Sequence, residues 1–324
     1  MSGRALSFGV MAEAYERFRP GYPVALFDTV MTYAGQPIRT ALEIGAGTGK
    51  ATRLFAQRGI TVTATEPDAA MLAELRKHVP ANVKTVHAAF ENLPPGESYG
   101  LVYAAAALHW TNPQGRWPRM AALLEPGGVF ASFGGPAQLA DPAVEEAVRA
   151  ARAPFLESDE VPSPDGTPPG HDMQWPGTEL QRSEWFADVQ QSVIERRLAM
   201  SARDYIGHLS TISAYLALPA PEQSRYMAGS CRSCRRGSRL PPTSSSISRV
   251  GAASSSAGIT IGIIGTGRPD LAPRTVHCHE ILPPGAPAQH RCRTEPRTPD
   301  PLKCSADTAG IGGTMGRCGF PLAR

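Results

Sequence analysis

The chain has 324 residues, of which 42% are hydrophobic and 19% charged, and its formal net charge at pH 7 is +3. No apolar run is long enough to cross a membrane and the N-terminus lacks the apolar core of a secretory signal, so we expect a cytoplasmic protein without a membrane partner. The small net charge combines two unlike parts, because residues 1–229 carry −5 and residues 230–324 carry +8.

Residues 1–39 are predicted to form an N-terminal arm and a first helix. A tight turn at Pro20-Gly21 would hold Tyr15 and Tyr22 near the mouth of a pocket formed by the residues that follow. The alternative is that these two tyrosines, together with Phe8, only pack the arm against the core.

A glycine-rich turn follows a short buried strand. The apolar run Thr40–Ile44 predicts the strand, and residues 50–58 are predicted to form the helix after the turn. Glycine at positions 45, 47 and 49 lets the backbone turn sharply and lets a ligand approach where a Cβ would block it. A second strand over 60–65 ends at Glu66, whose carboxylate can accept hydrogen bonds from a ribose diol. Together these elements predict a nucleoside-binding βαβ unit.

The spacing of these glycines argues against the two common phosphate-binding motifs. The G-x-G-x-G run is one residue shorter than the dinucleotide fingerprint G-x-G-x-x-G. A P-loop needs four residues between its glycines and a hydroxyl after the lysine, whereas Ala51 follows Lys50 here. Both phosphate-binding interpretations therefore fail.

The sequence E-x-G-x-G-x-G, with an acid at the end of the second strand, resembles the first motifs of the class I S-adenosylmethionine-dependent methyltransferases. The resemblance implies an α/β, Rossmann-like sheet with strand order 3-2-1-4-5-7-6 and helices on both faces. It also implies S-adenosyl-L-methionine as the cofactor, with the glycine turn against its methionine part and Glu66 on its ribose. The candidate cofactor-binding residues are Glu43, Gly45, Ala46, Gly47, Gly49, Glu66, Pro67, Met71, Phe90 and Glu91.

Further motifs extend the resemblance over residues 40–135, the predicted cofactor-binding core. The segment Ala88–Pro94 stands where relatives carry an adenine-contacting G-[DS]-[AF]-E-x-L-P sequence, but Ala89 lacks a side-chain acceptor. Adenine recognition is therefore expected to depend on Phe90 and Glu91. A fourth strand and an L-x-P-G-G turn into a fifth strand complete the pattern.

The arm and the loop after strand four resemble a narrower branch, the bacterial small-molecule methyltransferases related to trans-aconitate methyltransferase and the type 11 enzymes. In that branch both segments close over the sulfonium and the acceptor. Tyr22 and Trp110 are therefore candidate substrate-pocket residues, and Tyr15 is a candidate catalytic residue. His109 is a candidate general base, although we favour a structural role in which it braces the loop beside Trp110.

The implied chemistry is in-line attack of an acceptor on the methyl group of a sulfonium ion, for which the protein mainly aligns the reactants and excludes water. We therefore expect an S-adenosylmethionine-dependent methyltransferase that acts on a small-molecule acceptor. The alternative is a cofactor-binding protein without catalysis; methylation of nucleic acid is a less favoured third hypothesis. The sequence leaves the acceptor and the oligomeric state open.

Residues 136–228 are predicted to form a cap and the rest of the methyltransferase domain. We expect a helix over 141–152, a proline- and glycine-rich loop over 154–176, a sixth strand near 189–198 and a helix over 201–217. Tyr205, His208 and Thr211 are candidates for facing the acceptor pocket, with ordinary packing as the alternative that we favour for each. The histidines of the first 229 residues show no ligand spacing, so no metal site is expected there.

The composition changes abruptly near residue 229. All six cysteines lie beyond it, and every Trp and Tyr precedes it. Residues 229–324 are rich in Ser, Pro, Gly and Arg and lack apolar periodicity, which predicts a disordered tail. A slipped reading frame explains this change best, because shifted codons for residues 229–250 can encode a strand-like sequence that resembles the family's final strand. On this hypothesis the final strand is missing from the sheet.

Other interpretations of the tail are weaker. Cys231 and Cys234, with the downstream His and Cys residues, lack zinc-finger spacing, and a disulfide scaffold would require secretion. A basic tail that binds nucleic acid would lack aromatic residues for stacking. The glycine motif over 262–267 has no βαβ context, so we interpret it as a decoy.

Overall fold

The computed structural model describes residues 8–135, 137–156, 163–168, 170–237 and 252–265, which are built around one mixed β-sheet. All of these residues belong to one unit of the chain, residues 1–274. The strands are β1 (Thr40–Ile44), β2 (Thr61–Thr65), β3 (Val83–Val86), β4 (Tyr99–Ala105), β5 (Leu124–Gly134), β6 (Ala137–Leu139), β7 (Ala187–Ser201) and β8 (Ala252–Gly265).

The helices lie between these strands and before the first of them. They are α1 (Ala12–Phe18), α2 (Val24–Ala34), α3 (Lys50–Ala56), α4 (Ala69–His78), α5 (Arg116–Ala122), α6 (Pro142–Arg152), α7 (Gly177–Gln181), α8 (Ala202–Ser210), α9 (Ser213–Leu216) and α10 (Ala220–Gly237). Short 3-10 turns occur at Gly9–Met11, Phe90–Asn92 and Leu108–Trp110.

The sheet has a parallel part and an antiparallel part. Strands β3, β2, β1, β4 and β5 are parallel neighbours in that order. Strand β8 is antiparallel to both of its main neighbours, β5 and β7, so it lies between them. The short strand β6 pairs with β8 beyond the end of β5. This is the strand order implied by the resemblance, with β8 in the position of the final strand.

Helices cover both faces of the sheet because its central strands are apolar on both sides. On β4, Leu101 and Tyr103 pack in the cluster that contains residues of α2 and α3, whereas Val102 and Ala104 pack in the cluster that contains residues of α5 and α7. The predicted α/β Rossmann-like methyltransferase fold, with helices on both faces, is therefore confirmed.

The prediction that the final strand is missing is wrong. Residues 129–134 of β5 pair with residues 260–265 of β8, and β7 pairs with β8 along nearly its whole length. Ile263 is only 3% exposed and joins the core beside α2 and α3. A strand that is paired on both sides is held mainly by backbone hydrogen bonds, so a sequence rich in Ala, Ser and Gly can form it without apolar periodicity. Gly262 and Gly265 lie within this strand rather than in a turn between a strand and a helix.

The structure also places order beyond residue 229, where little was expected. Helix α10 continues to Gly237, and Tyr226 and Ser230 on it are fully buried. The expectation of a disordered tail is therefore wrong for 230–237 and for 252–265, while the rest of the predicted tail lies outside the described residues. The division of the chain into four segments and the slipped reading frame remain predictions.

The helix predicted over 201–217 is interrupted, and α8 and α9 replace it. At the break, the Thr211 hydroxyl donates to the carbonyl of His208 at 2.7 Å. A side chain that bonds back to its own turn competes with continued helix formation. Among the helices of the described residues, none is long and apolar enough to cross a membrane.

Candidate functional site

The glycine turn after β1 is held in a backbone conformation that favours glycine. Gly45 and Gly47 have φ values of +64° and +58°. A Cβ on Gly45 would lie 2.7 Å from the Cβ of Ala107, so glycine lets this turn pack closely against the loop after β4. Gly47 lines the open cleft beside the turn.

Glu66 at the end of β2 is fixed beneath the glycine turn. Its Oε2 accepts a hydrogen bond from the backbone N–H of Gly47 at 2.8 Å, and its Oε1 accepts one from that of Asp68 at 2.9 Å. Burial raises the pKa of Glu66, whereas these two N–H donors lower it. The Asp68 side chain caps the N-terminus of α4 by accepting from two backbone N–H groups, and α4 carries Met71 into the cleft. The sequence order acid, cap and methionine thus places one wall of the cleft.

The cleft lies at the carboxyl ends of β1, β2 and β4, the edge at which open α/β sheets bind their ligands. Nine of the predicted site residues line it: Tyr15, Gly45, Gly47, Glu66, Pro67, Met71, Phe90, Glu91 and Trp110. The remaining lining residues are Phe8, Ile44, Ala105, Ala106, Ala107 and Thr111. Ala105 ends β4, and Ala106, Ala107 and Thr111 follow it. Because the carboxyl ends of parallel strands meet at one edge of the sheet, the sequence could have predicted that these residues lie near the glycine turn.

Glu43, Ala46 and Gly49 are not among the residues that line the cleft; Ala46 and Gly49 belong to the glycine turn, and Glu43 lies on β1 just before it. The fully buried Oε2 of Glu43 accepts hydrogen bonds from the hydroxyls of Thr52 on α3 and Tyr103 on β4. Burial raises the pKa of Glu43 to about 8, although both hydroxyl donors lower it. At neutral pH this carboxyl group is therefore mostly protonated, and it ties three elements together under the site.

The 3-10 turn over 90–92 forms another wall of the cleft and is held by hydrogen bonds from α5. Arg119 on α5 donates from Nε to the Phe90 carbonyl at 2.9 Å and from Nη2 to the Leu93 carbonyl. Glu91 accepts the backbone N–H of Asn112 through Oε1 at 2.6 Å. Its Oε2 is buried and has no hydrogen-bond partner within the described part of the chain.

Three aromatic rings stand together at the cleft, and we call Phe8, Tyr15 and Trp110 the aromatic mouth. The ring centroids of Phe8 and Tyr15 are 6.1 Å apart, and those of Phe8 and Trp110 are also 6.1 Å apart, both in edge-to-face contact. Burial raises the pKa of Tyr15, so its phenol is neutral at physiological pH.

The arm that carries Tyr15 is attached to α3 and to the residue that follows α8. Glu16 forms ion pairs with Lys50 and Arg53 on α3, the latter at 2.7 Å. Arg19 donates to the side chain and the carbonyl of Thr211 at 2.9 and 3.0 Å. The arm thus links the helix after the glycine turn to the helical cap.

His109 lies outside the lining of the cleft. Its exposed ring packs beside Trp110 with centroids 4.6 Å apart, and crowding by protein and the charge of Arg116 lower its pKa. The imidazole is therefore neutral at physiological pH and lies beside, rather than within, the cleft.

The other predicted pocket residues also lie away from the cleft. Tyr22 packs edge to face on Phe133 in the core, with centroids 5.1 Å apart. Tyr205 is buried in a hydrophobic cluster, the cap cluster, that α8 forms with α6, α9 and α10, and His208 lies beside it. Burial and the charge of Arg19 lower the pKa of His208 to about 4. Over the described ranges no three His, Cys, Asp or Glu residues are grouped as they would be to hold a metal ion.

Comparisons with known proteins agree with this geometry. The sequence profile of a methyltransferase domain family matches residues 41–128. An uncharacterised methyltransferase of Mycobacterium tuberculosis is 40% identical over 124 residues, which are 38% of this chain and 50% of that protein. Residues 41–128 thus match a methyltransferase domain, and these similarities support a class I S-adenosylmethionine-dependent methyltransferase. A trans-aconitate 2-methyltransferase of Delftia acidovorans is 41% identical to this methyltransferase over 98 residues, 29% of this chain and 37% of that one. The matched residues thus span half of the length of the Mycobacterium protein and 37% of the length of the Delftia protein.

Solved structures show the shared fold over a longer part of the chain. A type II methyltransferase from Anaeromyxobacter dehalogenans has a TM-score of 0.56 and 24% identity, with coverage of 76% of this chain and 97% of that one. A methyltransferase from an antibiotic biosynthesis pathway of Anabaena variabilis has a TM-score of 0.51 and 16% identity. At these identities the likeness concerns the fold alone.

Proposed function

We propose that this methyltransferase binds S-adenosylmethionine in the cleft and transfers its methyl group to a small-molecule acceptor. The observation that carries the proposal is the pair formed by Gly47 and Glu66. Gly47 offers bare backbone to the cleft at a positive φ, and Glu66 holds a carboxylate beside it at the end of β2. When bound, the cofactor supplies an electrophilic methyl group on a sulfonium.

The residues that line the cleft fit the cofactor. The carboxylate of Glu66 keeps free lone pairs after accepting its two backbone N–H groups, and these can accept from a ribose diol. The unpartnered Oε2 of Glu91 is an acceptor suited to the exocyclic amino group of adenine. Met71 and Phe90 offer apolar walls for the flat base between these polar groups.

For this reaction the chain mainly has to align the acceptor with the methyl group and to exclude water. The leaving group of the reaction is a neutral thioether, so no residue has to protonate it. The aromatic mouth can keep water from the methyl group while the acceptor approaches. The position of His109 outside the lining supports a structural role for it rather than that of a general base.

Calorimetric titration with S-adenosylhomocysteine tests the cofactor site. Glu66→Gln removes the negative charge and one of the two strong acceptors, so we expect at least about tenfold weaker binding, since a hydrogen bond to a charged group contributes about 1.5–3 kcal/mol. Glu184→Gln makes the same chemical change on the exposed surface and should bind as the wild type does. Equal affinities for all three proteins would refute the proposed site.

A turnover assay separates catalysis from binding alone. Release of S-adenosylhomocysteine in a screen of metabolites supports the methyltransferase proposal, whereas tight binding without turnover supports a non-catalytic cofactor-binding protein. The cytoplasmic location expected from the sequence remains a prediction.

A further inference from the structure

The side chains that line the cleft do not supply the positive charge that an anionic acceptor would need. Among the described residues that line it, the charged side chains are Glu66 and Glu91, both acidic. The three half-buried rings of the aromatic mouth line the same cleft. Their planes meet at 82° and 70°, so the face of one ring is presented next to the edge of another. Faces of aromatic rings carry partial negative charge and attract cations.

Cationic side chains that contact residues of the cleft are engaged with other groups. The guanidinium of Arg19 donates to Thr211 and lies 5.2 Å from the centre of the Tyr15 ring. Arg119 donates to two backbone carbonyls behind the loop over 90–92. These side chains stabilise the walls from outside, and neither lines the cleft.

Arg116 is likewise committed. It is only 3% exposed, donates to the side chain and the carbonyl of Thr111, and lies 3.5 Å from the carboxylate of Glu179. The described lining therefore provides negative charge and aromatic rings, and no ammonium or guanidinium group to pair with a carboxylate.

We propose that the methyl acceptor is a basic amine and that the aromatic mouth holds the cationic nitrogen of the methylated product. This inference rests on the proposed function. The lone pair of the acceptor nitrogen forms the bond to the methyl carbon, while the carbon–sulfur bond breaks and leaves its electron pair on sulfur. Positive charge moves from sulfur to nitrogen and stays within reach of the same rings. A basic amine that arrives protonated first gives that proton to water, which frees the lone pair. After the transfer a tertiary amine remains as a quaternary ammonium ion, whereas a primary or secondary amine can release one further proton to water.

A carboxylate acceptor would use the opposite electrostatics. Its negative charge would cancel the positive charge on sulfur, giving a neutral ester and a neutral thioether. Before that step the carboxylate would need cationic donors in the cleft, and the described lining has none. The chain is thus expected to differ in acceptor class from its relative named for trans-aconitate.

A binding experiment on the full chain saturated with S-adenosylhomocysteine tests this inference. Titration with tetramethylammonium should show saturable binding, and titration with citrate should not. Trp110→Leu should weaken the binding of tetramethylammonium at least about tenfold, and Trp110→Phe should weaken it less, because a smaller ring face remains. Trp185→Leu makes the same change at a tryptophan that is 46% exposed and does not line the cleft, so it should bind as the wild type does.

The outcomes distinguish the two proposals. If S-adenosylhomocysteine itself fails to bind the wild type, the proposed function is wrong. If it binds but citrate is held and tetramethylammonium is not, or if Trp110→Leu and Trp185→Leu behave alike, the amine inference is overturned while the cofactor site stands. Turnover of tertiary amines at a kcat/KM at least tenfold above that of di- and tricarboxylates would support the inference, and the reverse order would refute it.

Discussion

Two parts of the sheet are built in different ways. In the cofactor half, residues 40–135, each strand pairs in parallel with strands of the same sequence segment, and the central strands are buried and apolar on both faces. In the closing half, residues 137–265, β8 comes from far along the chain and pairs in antiparallel fashion with β5 and β7. Its sequence is mostly Ala, Ser, Gly and Ile.

The difference concerns what holds each half together. Burial of apolar side chains stabilises the cofactor half, where Leu101, Val102 and Phe130 are fully buried. In the closing half, β8 forms backbone hydrogen bonds with two neighbouring strands, and the side chain of Ile263 joins it to the core. Changes to β8 should therefore act on the whole domain, whereas changes around the cleft should act mainly on binding.

The largest effect is expected from breaking the junction of the two halves. Ile263→Asp places a carboxylate in the core beside α2 and α3, where an unpaired charge costs several kcal/mol, a large share of a typical stability of about 5–15 kcal/mol. We expect an unfolded or strongly destabilised protein in a denaturant melt. Val193→Asp introduces the same group on β7 at a side chain that is 58% exposed and should change the melt little. If both variants melt like the wild type, β8 does not contribute to the folded sheet.

The next effect is a dependence of the stability of the cofactor half on pH, caused by Glu43. Burial raises the pKa of Glu43 from 4.5 to about 8, so between these values the folded state retains a proton that the unfolded state has lost. The free energy of unfolding should therefore fall as pH rises through this window, by up to about 1.4 kcal/mol per pH unit. Glu43→Gln should remove this part of the slope in melts at pH 5 to 8, and Glu184→Gln should not. Parallel curves for wild type and Glu43→Gln would contradict the assignment.

A smaller effect on ligand binding is expected from Arg119, which supports a wall of the cleft without lining it. Arg119→Met leaves the carbonyls of Phe90 and Leu93 without their charged donor, so the wall of the cleft should loosen. We expect binding of S-adenosylhomocysteine to weaken about tenfold, which corresponds to about 1.4 kcal/mol. Arg149→Met removes an exposed arginine of α6 and serves as the control. An unchanged affinity for Arg119→Met would show that this bracing is unimportant for the site.

The smallest effect concerns the contact that joins the arm to the closing half. A double-mutant cycle with Arg19→Met and Thr211→Val should give a coupling free energy of about 1 kcal/mol in thermal or denaturant unfolding, because the two side chains share a hydrogen bond within a partly buried interface. The exposed pair Lys84 and Glu97 should give a weaker coupling. A cycle that closes with no coupling would mean that the arm and the cap are energetically independent.

Most of the cofactor half was open to prediction from the sequence. The glycine turn, Glu66 and Met71 lie within one short βαβα segment, where strand and helix geometry alone brings them to the same edge of the sheet. Tyr15 and Trp110 also line the cleft. Tyr22 and Tyr205, by contrast, pack in the core and in the cap, because an aromatic residue serves equally well in a pocket wall and in a hydrophobic cluster.

The class of fold, the glycine turn and the acid beside it could be predicted from the sequence alone, since these depend on residue types at close spacing. Only the tertiary structure decided that residues 252–265 form the strand between β5 and β7. Pairing between distant segments depends on backbone groups that every residue carries, so composition gave little sign of it. The charge of the cleft walls was likewise decided by tertiary structure, because the positions of Arg19, Arg116 and Arg119 behind those walls follow from packing among distant elements.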